Sequence, residues 1–251
     1  MINRRAGRVP KTAVAAMVAL LLWQAAALPA GAVTNSSSQE TSSASSAFVA
    51  AAYEDVLGRV PSAEETSYWV DKLLAGAPRS SVASGFNNSE EYRRLKIDAA
   101  YSEVLGRVGE TEGIDHWLGA IAYGSVDADE VHPGFLGSDE FYLNQGGGTP
   151  SGYITAVYQD LFGRDPEPEG LAHWIFVMES MNRGYAADGL WHSTESYNAK
   201  VVEAYALLLG REPDADGLSH WVGIARQYGL TAMRTSLMSS DEYWSHAQSR
   251  F

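Results

Sequence analysis

The stretch that decides the fold is YALLLGREPDADGLSHW, residues 205–221. It opens on Tyr205, reaches Gly210-Arg211 with a Tyr-to-Gly step of 5, and closes on Trp221 with a Gly-to-Trp step of 11. A fixed internal period predicts tandem copies of one structural unit. The same residues recur at the same spacing in three earlier copies: Tyr53, Gly58, Arg59 and Trp69; Tyr101, Gly106, Arg107 and Trp117; Tyr158, Gly163, Arg164 and Trp174.

Each copy has the signals of three helices. Apolar residues at helical spacing, such as Val201, Ala204 and Leu208 in the last copy, precede the Gly, which suits the left-handed end of a helix. The second helix carries the Trp. A third, shorter helix is followed by Ser-X-Glu and an aromatic residue, as in residues 240–243, which predicts an N-cap with acidic residues in the next turn. With no alternating strand pattern, the fold class is all-α.

The junctions between copies differ. No helix breaker lies between Ser89 and Leu105 or between Ser193 and Leu209, so one helix is predicted to run through each of these junctions. The middle junction is interrupted by GGGTP at 146–150. The Gly-to-Gly distances of 48, 57 and 47 residues therefore predict four repeats arranged as two pairs, over 47–145 and 152–251, with a flexible Gly-rich break at 146–151.

The N-terminal residues have the pattern of an export signal. Basic residues at 4, 5, 8 and 11 precede an apolar run from Ala13 to Trp23, and Ala30-Gly31-Ala32 resembles a cleavage site. We therefore predict a signal peptide over 1–32, an extracellular or cell-surface location, and no transmembrane span after cleavage, because the run is too short. The Ser/Thr-rich residues 33–46 predict a disordered linker.

Composition excludes several classes of function. The net charge is −13, and removing the four basic residues of the signal would make it −17. Such a protein is not expected to bind nucleic acid or anionic membranes, since phosphates must be met by Lys and Arg. The absence of Cys excludes disulfides, thiolate metal sites and a Cys nucleophile. Composition does not determine the oligomeric state.

The repeated residues are more readily explained as scaffold than as a site. The four Trp residues offer faces for sugar stacking, but each lies one turn from an apolar residue on its helix, which favours packing. The four Arg residues would suit a carboxylate ligand or an internal clamp, and we favour a clamp to a carbonyl or acidic neighbour in the same repeat. Metal binding by His116, His173 and His220 would require the copies to close around an axis.

Acidic residues offer weak candidates for chemistry. Asp214 and Asp216, like Asp127 and Asp129, resemble parts of a calcium loop without the full set of ligands, so calcium is the only cofactor considered. Helix capping explains the same residues. No nucleophile elbow, zinc helix or phosphate loop is present, so no catalytic residue is predicted. Carboxylate pairs such as Glu90-Glu91 leave a hydrolase open as an alternative.

The combined motifs resemble a known bacterial family. Leu209-Gly210-Arg211, Asp214, Gly217-Leu218 and Trp221, with the trailing Ser-X-Glu, are similar to the domain of unknown function numbered 4214, which is found in exported and surface proteins. The fourth copy fits best. The first has Glu65-Thr66 where Gly-Leu is expected, and the second has Val108-Gly109-Glu110 in place of the Pro-containing turn. The resemblance covers about 47–246 and implies an all-helical fold, loosely similar to phycobilisome linker domains, with no established activity.

These observations predict an exported, non-enzymatic helical repeat protein. Its expected role is a surface-associated binding or assembly module for a protein or an envelope glycan. The alternatives are a carbohydrate-active hydrolase with paired carboxylates and a calcium-dependent structural protein. Because the shared residues serve the scaffold, function is expected where the copies differ: at 126–133, at the break near Gly146, and at 178–196.

Overall fold

The computed structural model describes residues 35–251, with side chains from Thr41 onward. The predicted signal peptide and the first two linker residues lie outside the described residues. Contacts divide the chain after Gln39, and of the first unit only the helical residues 35–39 are described. The second unit, Glu40–Phe251, contains all four repeats.

Every regular element in residues 35–251 is a helix, as predicted. The first copy has α1 (Asn35–Leu57), α2 (Ala63–Leu74) and α3 (Arg79–Asn87), and the second has α4 (Glu90–Leu105), α5 (Thr111–Ala122), a 3-10 turn (Ala128–Glu130), α6 (His132–Leu136) and α7 (Asp139–Asn144). The third has α8 (Pro150–Phe162), α9 (Pro168–Ser180) and α10 (Arg183–Trp191), and the fourth has α11 (Thr194–Leu209), α12 (Ala215–Tyr228), α13 (Leu230–Met238) and α14 (Asp241–Arg250). Helices α4 and α11 run through the first and third junctions, as expected.

Local sequence signals set the helix ends. The four repeat glycines end α1, α4, α8 and α11 with φ between 64° and 67°, a region that side chains with a Cβ disfavour. The Ser residues before α4, α7, α11 and α14 each accept a hydrogen bond from the backbone amide three residues on, at 3.1–3.2 Å. Both predictions are confirmed.

The Ser/Thr-rich linker differs from the sequence prediction. Residues 35–46 are the beginning of α1 rather than an irregular segment. Ser45 is 1% exposed, and Phe48 packs against the rings of Tyr243 and Trp244 in α14. Ser46 Oγ donates to the Ser42 carbonyl at 3.0 Å, so its hydroxyl has a partner within the helix. The helix that begins in this segment is held to the last helix by the contacts of Phe48.

The repeats share one buried core. Two positions of every repeat are buried in this core: the repeat tyrosine and one residue near the end of the third helix. The third-helix residues are Phe86, Phe135, Leu190 and Leu237. In the third copy the buried residue is Leu190, because it follows Gly189 as Phe86 follows Gly85. Trp191 instead takes the place of Asn87, Leu136 and Met238, all of which face inward.

The array of four copies closes on itself. Helix α6 of the second copy packs on α10 of the third, and α3 of the first packs on α13 of the fourth. The ends meet as well, because Tyr243 Oη donates to Asp55 at 2.8 Å and Arg250 pairs with the same carboxylate at 2.9 Å. The first and last copies therefore protect each other's edges, as capping repeats do in open solenoids.

The Gly-rich break is a compact turn rather than a flexible linker. Gly147 and Gly148 have φ of 60° and 68°, and the chain there folds back on α7. A Cβ at Gly146 would lie 2.7 Å from Tyr153 Cα and 2.8 Å from the Tyr142 carbonyl oxygen. Gly146 is needed because the turn touches the backbone at the start of α8, and Gly147 and Gly148 are favoured because their φ is left-handed.

Candidate functional site

The repeated Arg is the centre of a clamp that ties each copy together. Arg59 donates two hydrogen bonds to Glu91, at 2.6 and 2.9 Å, and its guanidinium lies 4.8 Å from the centre of the Tyr53 ring. Each later copy repeats the arrangement, with Glu140, Glu195 and Glu242 as the acceptors and Tyr101, Tyr158 and Tyr205 as the rings. The predicted internal clamp thus unites the Tyr, the Arg and the Glu of Ser-X-Glu.

A second carboxylate completes three of the four clamps. Glu110 and Glu167, each three residues after its Arg, bond to Arg107 and Arg164. In the first copy Ser62 stands at that position and caps α2, and Glu65 supplies the carboxylate to Arg59 at 2.7 Å. This explains why Glu65 replaces the expected Gly. In the fourth copy Asp214 caps α12 by accepting from the Gly217 amide at 2.7 Å.

The clamps hold their carboxylates ionised. The hydrogen bonds from Arg59, followed by those from Ser62, lower the pKa of Glu65 to about 2. The pKa values of Glu91 and Glu140 are lowered for the same first reason, a hydrogen bond from the clamp Arg. These acids are therefore structural anions, and Glu65 and Glu91 share one Arg.

The repeat Trp residues are structural as well. Trp69 stacks on Phe86 with ring centres 5.1 Å apart, and Trp117 stacks on Phe135 at 4.9 Å. Each Trp lies over a glycine of the third helix, which is Gly85, Gly134 or Gly189 in the first three copies. A Cβ at Gly85 would come within 2.5 Å of the Trp69 ring. Sequence reasoning missed these glycines, although each directly precedes the buried core residue.

The three histidines beside the Trp residues do not converge. His116, His173 and His220 are exposed, and each stands edge-on to its own Trp with ring centres 5.0–5.8 Å apart. Among the described residues, no group of three or more His, Asp or Glu side chains is arranged to hold a metal ion. The closure of the array therefore leaves the histidines on its outside.

The two acidic candidates for calcium have other partners. Asp214 caps a helix, and Asp216 is exposed in the first turn of α12. Asp127 accepts a hydrogen bond from Thr231 at 3.0 Å. Asp129 is 4% exposed and lies where α4, α13 and the 3-10 turn meet. Residues 126–133 were predicted as a place for function because the copies differ there. The acidic groups of this segment form hydrogen bonds and ion pairs with other side chains.

Asp129 anchors a buried polar cluster. Its carboxylate accepts hydrogen bonds from Tyr92 at 2.5 Å, Thr231 at 2.9 Å and Arg234 at 2.9 Å, and Lys96 Nζ is 3.4 Å away. Burial raises the pKa of this carboxyl, but the charges of Arg234 and Lys96 outweigh burial, so the pKa is lowered. Because a buried charge is costly without partners, this cluster fixes how the second and fourth copies meet.

A second polar cluster surrounds Trp191, next to the first. Glu130 accepts from Trp191 Nε1 at 2.7 Å and lies 3.1 Å from His192 Nε2. His132 stacks on the indole with ring centres 5.0 Å apart, and Lys200 Nζ lies 3.1 Å from the ring centre. The hydrogen bond with Glu130 raises the pKa of His192. Burial lowers the pKa of Lys200 to about 7.

Sequence reasoning missed the cations of these clusters. Lys96 and Lys200 stand at equivalent places, five residues before Tyr101 and Tyr205. Arg234 lies among the apolar residues of α13. Each is a charged residue on the inward face of a helix, and which face is inward depends on the closure of the array.

The carboxylates of Glu90 and Glu91, named above as a possible glycosidase pair, are each paired with an arginine. Glu91 belongs to a clamp, and Glu90 pairs with Arg94 one turn on in the same helix. A shallow depression beside the second clamp has one carboxylate in its lining, Asp98.

None of the described helices is both long and apolar enough to cross a membrane.

The fold and its four clamps define a closed, all-helical repeat protein. A family model described as Domain of unknown function (DUF4214) matches the chain three times, over residues 30–96, 97–145 and 144–201. The chain belongs to this family. No curated protein and no solved structure matches it. The family matches end before the Gly-Arg of the fourth copy, which nevertheless has the same glycine cap and the same Arg–Glu pair.

Proposed function

We propose that the protein is exported and acts at the cell surface as a rigid module that binds an envelope glycan. The observation that carries this proposal is a set of exposed aromatic rings on the second helices of the repeats. Tyr68 in α2 is 56% exposed, Tyr123 at the end of α5 is 91% exposed, and Phe176 in α9 is 68% exposed. Exposed aromatic rings on a well-packed scaffold offer flat apolar faces on which a ligand can stack.

The geometry around these rings suits stacking. Tyr68 lies edge-on to Trp69 with ring centres 5.0 Å apart, and Lys72 lies over the Tyr68 ring at 4.8 Å. An aromatic ring with a polar neighbour offers an apolar face and hydrogen-bonding groups to one ligand. Because the clamps fix each repeat internally, the outer helices can vary between copies without loss of the scaffold.

Binding is tested with a glycan array and with isolated envelope fractions, using the protein as secreted. We expect retention by at least one glycan class, with Tyr68→Ala and Phe176→Ala weakening it about tenfold, as loss of a stacking contact would. The exposed residue Val60 provides the control, because Val60→Ala removes apolar surface without an aromatic ring. Binding only to a protein of the envelope, or glycan binding unchanged in both ring variants, would overturn the proposal.

Export is tested separately by fractionation of the producing cells. We expect the protein outside the cytoplasm with Val33 as its first residue, since the small residues before it suit signal cleavage. Recovery of the uncleaved chain in the cytoplasm alone would reject export and leave the glycan measurement unaffected.

A further inference from the structure

The third copy has a histidine, His192, at the end of its third helix, directly before the Ser that caps the next helix. The equivalent residues of the other copies are Asn88, Gly137 and Ser239. In the first copy Asn88 Nδ2 donates to the Ser84 carbonyl, four residues earlier, at 2.9 Å. His192 Nδ1 lies 2.8 Å from the carbonyl of Asp188, also four residues earlier. Because a carbonyl oxygen only accepts, Nδ1 of His192 carries a proton, as the amide of Asn88 does.

The other ring nitrogen of His192 faces a carboxylate of a different copy. Its Nε2 lies 3.1 Å from Oε2 of Glu130, in the 3-10 turn of the second copy, and the Glu130 side chain is 18% exposed. Since Nδ1 already carries a proton, a neutral ring would turn the lone pair of Nε2 toward this carboxylate oxygen. Only the imidazolium donates on both sides. The contact between the second and third copies therefore requires a cation.

The charges around His192 favour this cation. The titratable and charged groups around His192 and the adjacent Trp191 are Glu130, His132, Asp188, Tyr197, Lys200 and Arg226. The cations Lys200 and Arg226 each lie 5.6 Å from the centre of the Tyr197 ring, whereas the two carboxylates contact the imidazole directly. The hydrogen bond with Glu130 raises the pKa of His192, and burial opposes it to a smaller extent.

A second histidine faces a carboxylate across the same junction. His132 of α6 stacks on the Trp191 indole, and its Nε2 lies 3.6 Å from Oδ2 of Asp160 on α8 of the third copy. Their side chains are 17% and 13% exposed. Among the described residues, this buried oxygen of Asp160 has no hydrogen-bond partner. A proton on His132 would supply the counter-charge, so acid acts in the same direction at both contacts.

We propose that His192 is a pH-sensitive link between the second and third copies, which holds Glu130 as an imidazolium and releases it when the ring is deprotonated. The link is independent of the proposed glycan surface, because none of the stacking rings belongs to it. The folded-state pKa of His192 is raised above its ordinary value of 6.5, so the stability from the link is fully present below pH 6.5 and is lost as the pH rises through the raised pKa. The effect is small, because the His192 side chain is 37% exposed.

The link is tested by NMR titration of the native protein, observing the His192 ring and the Trp191 indole N–H. The indole donates to the same oxygen of Glu130 at 2.7 Å, so it reports on that carboxylate. We expect the His192 midpoint above 6.5 and an indole transition with the same midpoint. In His192→Asn this transition should vanish, whereas one caused by Lys200 would remain. A His192 midpoint at or below 6.5, or an indole transition that persists in the variant, would overturn the proposal.

Melting temperatures measure the strength of the link. His192→Asn is the matched variant, because Asn88 shows that an amide makes the same contact with the carbonyl four residues earlier. We expect the wild type to melt about 1–3 °C above His192→Asn at pH 6 and this difference to disappear by pH 9. Lys200 is present in both proteins, so its own titration cancels in the comparison. An equal difference at the two pH values would show that the histidine acts by packing alone, and the proposal would be wrong.

Two further variants identify the partner. In a Glu130→Gln background, His192→Asn should have no pH-dependent effect, because the carboxylate that requires the cation is gone. His220→Asn is the control, since His220 is exposed and stands edge-on to its own Trp221 at 5.0 Å. It should leave the pH dependence of melting and the Trp191 transition unchanged. If Glu130→Gln does not fold, the titration of the wild type and of His192→Asn still decides the proposal.

Discussion

Arg59 and Glu91 lie 32 positions apart in the chain, yet two nitrogens of Arg59 donate to the two carboxylate oxygens of Glu91 at 2.6 and 2.9 Å. This pair joins the end of the first helix of a repeat to the start of the helix that leads into the next copy. It occurs in all four copies, so the two recurring motifs of the sequence are the two halves of one contact.

The first prediction concerns this clamp. We expect Glu91→Gln to lower the free energy of unfolding by about 1 kcal/mol or less, because the pair is more than a third exposed and solvent screens it. The control is Glu90→Gln, whose partner Arg94 is on the same helix, and it should cost less than about 0.5 kcal/mol. Urea unfolding measures both. Equal effects would mean that the clamp adds nothing beyond an ordinary surface pair.

The second prediction concerns the glycine beneath the Trp. In Gly85→Ala the new Cβ would meet the Trp69 ring at 2.5 Å, so we expect a loss of about 1–3 kcal/mol from overpacking. Gly119→Ala, with nothing within 4 Å of its Cβ in α5, should instead stabilise by about 0.5–1 kcal/mol through helix propensity. Thermal unfolding distinguishes the two. Stabilisation by both variants would show that the Trp moves aside without cost.

The third prediction concerns the turn at the middle junction. Gly146→Ala should destabilise the protein by more than about 2 kcal/mol, because the contacts at 2.7–2.8 Å involve Tyr153 Cα and a carbonyl oxygen rather than a movable side chain. Gly223→Ala in α12, where the Cβ would meet nothing within 4 Å, is the matched control. A flexible linker would tolerate both changes, so unchanged urea midpoints would contradict the compact turn.

The fourth prediction concerns the buried carboxylate. Asp129→Asn should cost about 3 kcal/mol or more, because it leaves Arg234 and Lys96 without a buried counter-charge. Asp115→Asn, at an exposed position of α5, should change stability by less than about 0.5 kcal/mol. Circular dichroism in urea measures both variants. A small effect at Asp129 would indicate that water reaches the cluster.

The fifth prediction concerns pH. Burial lowers the folded-state pKa of Lys200 to about 7 from its ordinary value of 10.5, so the unfolded chain binds more protons than the native protein between these values. Stability from this group is therefore fully present above pH 10.5 and is lost as the pH falls to 7. Lys200→Met should stabilise the protein relative to the wild type at pH 7, by on the order of 1 kcal/mol or more, and this gain should shrink by pH 10. Melting temperatures over this range test it, and parallel profiles for the two proteins would contradict it.

The sequence by itself determined the helices, their ends and the fourfold period. Those features depend on interactions within one or two turns: a glycine at φ near 65°, a Ser hydroxyl facing an amide, apolar residues on one face. The same local rules assigned Asp214 to a helix cap, which the structure confirms. They also indicated residues 126–133 as a place where the copies differ.

Only the tertiary structure decided how the copies meet. The burial of Phe48, the partner of each clamp Arg and the clusters at Asp129 and Trp191 depend on contacts between residues that are far apart in the chain. Phe48 packs on Tyr243 and Trp244 because α14 returns to α1, and Lys200 is desolvated because Trp191 and Glu130 are brought beside it. Burial and charge pairing are properties of the closed array, and composition at one position does not contain them.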